Sequence, residues 1–189
     1  MSKNIKLVGV GGQGTILAAK VLVTALINAG YDVKMSEIHG MSQRGGSVSS
    51  EIRYGEKVYS PVIEKGHADY LVSFEQMEAA RAIDYLHDKG VLIVNNLKIN
   101  SMVTLNGKIA YPKDIIPTLS KQIKTIEVNA TETAIELGNS KVMNIIMLGA
   151  LVTAMDLANL DFETAIKENI KPKFIELNLK AFKIGCGIL

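Results

Sequence analysis

The chain contains a single cysteine, Cys186. It has no partner for an internal disulfide, and alone it cannot hold zinc or an iron–sulfur cluster, each of which takes several ligands. No internal repeat, low-complexity tract or linker rich in Gly, Ser or Pro divides the chain. Charge of one sign is missing too. The 21 basic and 19 acidic residues leave a formal charge of only +2, without the concentrated positive field that neutralises rows of phosphates, so DNA or RNA is not an expected partner. The longest apolar stretch, Val142 to Met155, contains Asn144 and falls short of the roughly 20 residues a bilayer requires, so it is expected to be a buried helix. Met1-Ser2-Lys3-Asn4-Ile5-Lys6 has neither the apolar run nor the small-residue cleavage site of a signal peptide, and a cytoplasmic location is expected.

What is present suffices for one core. A chain of 189 residues with 48% hydrophobic content fits a single domain, expected over 1–189. Ile5 to Val10 reads as a strand and Thr15 to Ala29 as a helix whose polar positions Lys20, Thr24 and Asn28 recur every four residues. Gly30 stops that helix, and Tyr31 to Glu37 completes a strand, helix, strand unit. Ser47 to Ser60 is expected to form a hairpin around Tyr54-Gly55-Glu56-Lys57. Asp69 to Phe74, Gly90 to Asn95 and Thr125 to Val128 read as further strands, Glu75 to His87 as a helix, and Met102 to Tyr111 as a second hairpin around Asn106-Gly107. From Thr131 onward only helices are expected, with Pro172 opening the last, where its missing N–H costs nothing. The expected class is α/β: a three-layer α/β/α, Rossmann-like arrangement with a mixed, mostly parallel sheet, β-hairpin insertions and a helical C-terminal third.

Two glycine-bearing segments carry the functional information. Gly9, Gly11 and Gly14 fit G-x-G-x-x-G between a strand and a helix, where the backbone can turn tightly and the helix start can offer N–H groups to a phosphate or carboxylate. Glu37, at the end of the second strand, falls near where a dinucleotide site places an acid against a ribose. The same glycines equally serve close packing of strand on helix. No Gly-Lys-Ser/Thr follows, so this is not a Walker A loop.

In the second segment, Gln43-Arg44-Gly45-Gly46-Ser47 reads as a loop. Arg44 could grip an anion through two parallel hydrogen bonds, or form an internal ion pair that fixes the loop. His39 could donate to the same ligand or serve the fold. His39, His67 and His87 lack ligand spacing, so no metal site is expected. Met143, Met147 and Met155 are expected as core filler, and Ser47, Ser49 and Ser50 as strand residues without a nucleophile signature.

Taken together, Gly9-Val10-Gly11-Gly12-Gln13-Gly14, His39-Gly40-Met41-Ser42-Gln43-Arg44-Gly45-Gly46-Ser47-Val48, Tyr59-Ser60-Pro61 and Ala68-Asp69-Tyr70-Leu71-Val72-Ser73-Phe74-Glu75 resemble the gamma-type domain of 2-oxoacid:acceptor oxidoreductases. Within it, Gly-Met-Ser-Gln-Arg-Gly-Gly is similar to the small subunits of indolepyruvate:ferredoxin oxidoreductases. The likeness extends through Asn144 to Gly149 and to Asn178, Ala181, Phe182 and Gly185. It implies a complex that oxidatively decarboxylates an arylpyruvate, captures the acyl group on coenzyme A and reduces ferredoxin. This chain has no Gly-Asp-Gly thiamine diphosphate signature; Asn95-Asn96 only looks like its tail. Thiamine diphosphate and the iron–sulfur clusters are therefore expected on a larger partner subunit, with ferredoxin reached through that subunit. No catalytic residue and no metal ligand are assigned here. Gly9, Gly11, Gly12, Gln13, Gly14, Gln43, Arg44, Gly45 and Gly46 are the candidate contacts to coenzyme A or to the partner. The alternatives are a gamma subunit for pyruvate, 2-oxoisovalerate or 2-oxoglutarate, a free-standing dinucleotide-binding oxidoreductase, and a small binding module with no enzymatic context. An isolated chain is expected to be inactive, and a homodimer could cover the surface a partner would occupy.

Overall fold

Strand β1 (Lys3–Val10) turns Ile5 and Leu7 to one side and Lys6 and Val8 to the other, and all four are inaccessible or nearly so. A strand buried on both faces belongs in the middle of a sheet. A computed structural model, which describes residues 2–39, 45–107 and 109–189, places it there. Its neighbours are β3 (Ser47–Gly55), antiparallel, and β4 (Ala68–Ser73), parallel. With β2 (Asp32–His39), β5 (Leu86–Asn95) and β6 (Lys124–Val128) the order is β2-β3-β1-β4-β5-β6. Only β3 runs against the others, so the sheet is mixed and mostly parallel, as the sequence implies.

Helices cover both faces. On one, α1 (Thr15–Asn28), α5 (Ala130–Glu136), α6 (Met143–Ala154), α7 (Phe162–Asn169) and α8 (Ile175–Cys186) share a core with Ile5, Leu7, Ile52, Val72 and Ile93. On the other, α2 (Gln76–Ala82) and α4 (Ile115–Ser120) pack on Val8, Leu71, Leu92 and Val94. A one-turn helix, α3 (Met102–Leu105), lies between β5 and α4. Ten of the twelve residues of α6 are buried, the fate expected of a short helix that is apolar all round. Among the described residues no helix is long and apolar enough to cross a membrane. Met143, Met147 and Met155 fill the core as expected. Pro172 opens the 3₁₀ turn Pro172–Phe174 that leads into α8.

The hairpins differ from expectation. β3 ends at Gly55, and the following segment crosses the sheet face as an irregular strap. Carboxylates replace the ladder that a second strand would have supplied. Asp32 Oδ2 accepts from the Val58 amide (3.0 Å) and Glu51 Oε2 from the Ile63 amide (3.1 Å). Glu51 is itself held by Lys6, its cross-strand neighbour, at 2.5 Å with both side chains almost inaccessible, and the Lys6 ammonium lies 3.9 Å from the centre of the Tyr85 ring. Around Asn106-Gly107 the chain closes α3 instead of pairing two strands, with Gly107 N–H donating to Thr104 O (3.1 Å). The helix after Glu75 ends at Ala82, where a 3₁₀ turn, Ile83–Tyr85, gives way to an early start of β5 at Leu86. A hairpin does exist, elsewhere: β2 and β3 pair antiparallel from Asp32↔Gly55 to His39↔Val48, and the second glycine segment is the connection between them.

Candidate functional site

β1 ends where Val10 gives way to the first glycine loop, and Gly9, Gly12 and Gly14 each have a physical reason there. A Cβ on Gly9 would meet Gln13 Oε1 and Thr15 Cγ2 at 2.9 Å and Phe74 Cβ at 3.1 Å. Gly14 caps α1 in the left-handed region at φ 79°, with Asn144 Nδ2 only 2.4 Å from where a Cβ would sit. Gly12, at φ 105°, has open space around its Cα, so its backbone conformation alone demands glycine. Gln13 folds back to brace the loop: its Oε1 accepts from Val10 N–H (2.7 Å) and its Nε2 donates to Phe74 O (3.0 Å). Among the described residues no side chain caps α1, and no acidic residue stands in its first turn, so none of them compensates the positive end of the helix dipole.

The two glycine segments meet. Gly11 N–H donates to Gly46 O (2.8 Å) and Gly45 N–H to Gly11 O (3.2 Å), continuing the β1–β3 ladder past Val10↔Ser47. Gly9, Gly11, Gly12, Gln13, Gly14, Gly45 and Gly46 thus form one continuous structure at the end of the central strands. Gln43 and Arg44 lie outside the described residues, as does the side chain of His39. Glu37 is not brought to the loop: β3 stands between β1 and β2, whereas a dinucleotide site of the kind weighed above needs those strands side by side. That topology removes the physical basis for the free-standing dinucleotide enzyme.

A small cleft of about 80 Å³ opens beside the joined loops, lined among others by Val10, Gly45, Ser47, Glu75, Glu78 and Tyr111. Its carboxylates are already engaged. Glu75, 1% exposed, caps α2 by accepting from Glu78 N–H (3.0 Å), and also accepts from Ile99 N–H (3.1 Å) and the Tyr111 hydroxyl. Glu78 accepts from Ser47 Oγ and from Arg81 at 2.6 Å. Burial and the bond to Glu75 hold the Tyr111 hydroxyl well above the ordinary tyrosine range, so it stays protonated as a donor. The cleft is too small for a drug-sized ligand. This acidic network joins residues 47, 75, 78 and 111, and only its three-residue spacing at Glu75 and Glu78, an N-cap pattern, shows in the sequence. Asn144, which ties α6 to the loop by donating to Gly14 O (3.0 Å), does carry a visible signal as a polar residue inside an apolar helix.

Residues 4–188, nearly the whole chain, match the model of the family described as pyruvate ferredoxin/flavodoxin oxidoreductase. The chain belongs to that family. It is 37% identical over 193 residues to the indolepyruvate oxidoreductase subunit IorB of Thermococcus kodakarensis, covering 96% of this chain and 93% of that one. Among solved structures, a keto/oxoacid ferredoxin oxidoreductase gamma subunit from Geobacter sulfurreducens superposes with a TM-score of 0.74 at 26% identity, over 98% of this chain and 97% of that chain. The 2-oxoglutarate:ferredoxin oxidoreductase of Magnetococcus marinus, solved with 2-oxoglutarate, coenzyme A and succinyl-CoA, shares the fold (TM-score 0.77, 16% identity) over 99% of this chain but only 31% of its own. The chain is thus homologous to the small subunit of indolepyruvate oxidoreductases and to gamma subunits of 2-oxoacid:ferredoxin oxidoreductases.

Proposed function

We propose that this chain is the small subunit of an indolepyruvate:ferredoxin oxidoreductase, a single domain that completes a larger subunit carrying thiamine diphosphate and iron–sulfur clusters. The observation that carries the reading is the likeness to indolepyruvate oxidoreductase subunits along 96% of the chain, which includes both glycine segments. Cys186 is the only thiol, too few to ligate an iron–sulfur cluster, which supports placing the clusters on the larger subunit. Burial also pushes the Cys186 thiol up, away from the thiolate that ligates metals.

The joined loops present backbone N–H groups and an uncapped helix start beside Gly12, a surface suited to coenzyme A phosphates or to partner carbonyls and carboxylates. In the assembled enzyme the larger subunit oxidises the arylpyruvate and passes electrons to ferredoxin, while this chain closes the site with those loops. Coexpression with the larger subunit tests this. The complex is expected to reduce ferredoxin with indolepyruvate and coenzyme A faster than with pyruvate or 2-oxoglutarate. Turnover by the isolated chain, or a complex that favours 2-oxoglutarate, would overturn the assignment.

A further inference from the structure

A second cavity, of about 320 Å³, lies where the starts of α6 and α8 meet the end of α7. That volume is in the range of small-ligand pockets, and the lining has a consistent chemistry. Lys141 and Lys171 stand at it, neither in an ion pair among the described residues, and no Asp or Glu lines it. In a chain of net charge +2, two lysines without a neighbouring acid make a local site for an anion.

Four asparagines line it; Asn139 Oδ1 already accepts from Lys141 N–H (3.0 Å), and the other three add a second feature. Asn144 donates its Nδ2 to Gly14 O (3.0 Å), Asn169 to Thr24 Oγ1 and Ala165 O (2.9 Å each), and Asn178 to Phe174 O (2.8 Å). All three amide nitrogens are therefore used by the protein, while none of the three amide oxygens accepts a hydrogen bond from the described residues. Asn144 is only 3% exposed and its Oδ1 is inaccessible from the cavity, so the oxygens open to a ligand are those of Asn169 and Asn178. Leu17, Val142, Ile170 and the half-exposed Phe174 ring supply the apolar part of the wall.

A ligand matching this lining carries an anion for the lysines, neutral N–H or O–H donors for the amide oxygens, and a flat or apolar body for Phe174. An amino acid fits poorly, because its ammonium would sit beside two lysines with no carboxylate to offset it. We propose that this cavity binds a nucleoside phosphate, the phosphate on Lys141 and Lys171, and the hydroxyl and exocyclic amine donors on the oxygens of Asn169 and Asn178. The cavity is not the cleft beside the glycine loops, although Leu17 and Asn144 join it to the start of α1; failure of AMP to bind would leave the assignment of this chain as a small subunit untouched.

Calorimetric titration of the full chain with AMP is the test, with adenosine, inorganic phosphate and L-tryptophan as comparisons. AMP is expected to bind once per chain and at least tenfold more tightly than any of the three. Lys141→Ala combined with Lys171→Ala, both on exposed side chains, is expected to weaken AMP by about tenfold or more with an unchanged melting temperature. Asn178→Asp, which sets a negative charge beside the lysines, is expected to weaken it as well. Competition by coenzyme A would identify the adenylate end of a larger cofactor as the natural occupant, and its absence a free nucleotide. No saturable AMP binding, binding indifferent to the lysine pair, or tighter binding of tryptophan would overturn the proposal.

Discussion

Helices α6 and α8 cross backbone to backbone at Gly149 and Gly185, and that contact predicts the cost of a single methyl group. A Cβ on Gly185 would lie 2.2 Å from Ile146 O, and one on Gly149 2.5 Å from Phe182 O and 2.7 Å from Cys186 N. Backbone atoms cannot swing aside as the end of a side chain can, so Gly185→Ala has to push the helices apart by about 1 Å, the gap between 2.2 Å and the 3.4 Å of ordinary contact. Overpacking costs about 1–3 kcal/mol where side chains can adjust, and a gap of 0.5–1 Å forfeits roughly a quarter to a half of each neighbouring dispersion contact. Alanine returns about 1 kcal/mol of helix propensity. The expected net loss is about 2–3 kcal/mol, which for a chain of this length lowers Tm by roughly 5–10 °C. Urea melts followed by circular dichroism measure it directly. Gly187→Ala is the matched control, because its Cβ would meet nothing closer than Ile184 O at 3.6 Å, and its effect is expected within about 0.5 kcal/mol. A Gly185→Ala variant that melts with the wild type would refute the close crossing.

Glu51→Gln, which leaves the Lys6 ammonium buried without its counter-charge, is expected to cost about 3–5 kcal/mol in urea melts, whereas Lys6→Met with Glu51→Leu together should cost far less. Asp32, held down to about 2 by Lys34 and the Val58 amide, has a folded value below its unfolded one; its stabilisation is present above the ordinary carboxylate range and fades as pH falls through about 2. Asp32→Asn is therefore expected to flatten the acid limb of a Tm–pH profile below pH 4 and to leave its shape near pH 7 unchanged. Gln13→Glu keeps the acceptor for Val10 but sets a carboxylate against Phe74 O; a loss of about 1–3 kcal/mol and a fall in activity of the assembled enzyme are expected. Arg44→Lys is expected to leave Tm nearly unchanged while lowering turnover of the complex, and a large stability loss with normal turnover would assign Arg44 an internal role.

Much of the fold was legible because local periodicity and burial agree. In α1, Lys20, Thr24 and Asn28 lie on the less buried stripe that their spacing implies, and the all-apolar run of α6 is buried all round. Reading failed where a distant side chain took over work that local pattern assigns to a strand. Val58 and Ile63 look like partners in a ladder, yet Asp32 and Glu51 accept their N–H groups, and no residue near Tyr54-Gly55 signals that exchange. Insertion of β3 between β1 and β2 was equally hidden, since a strand, helix, strand pattern reads the same whether its strands touch or are parted. For the site, the glycines were visible because their backbone demands are local. The embrace of Gly14 by Asn144, and the acid cluster of Glu75 and Glu78 under Ser47 and Tyr111, arise from segments far apart in the chain.

The paired bonds between Gly11 and residues 45 and 46 give the two loops a common mechanical fate. Whatever docks on one and stiffens it must also pull on the other, because the last rungs of the central ladder yoke them together. A partner touching only the far turn could therefore set the posture of the near one, and through Gln13 and Asn144 that tension would reach both Phe74 and the first turn of α6.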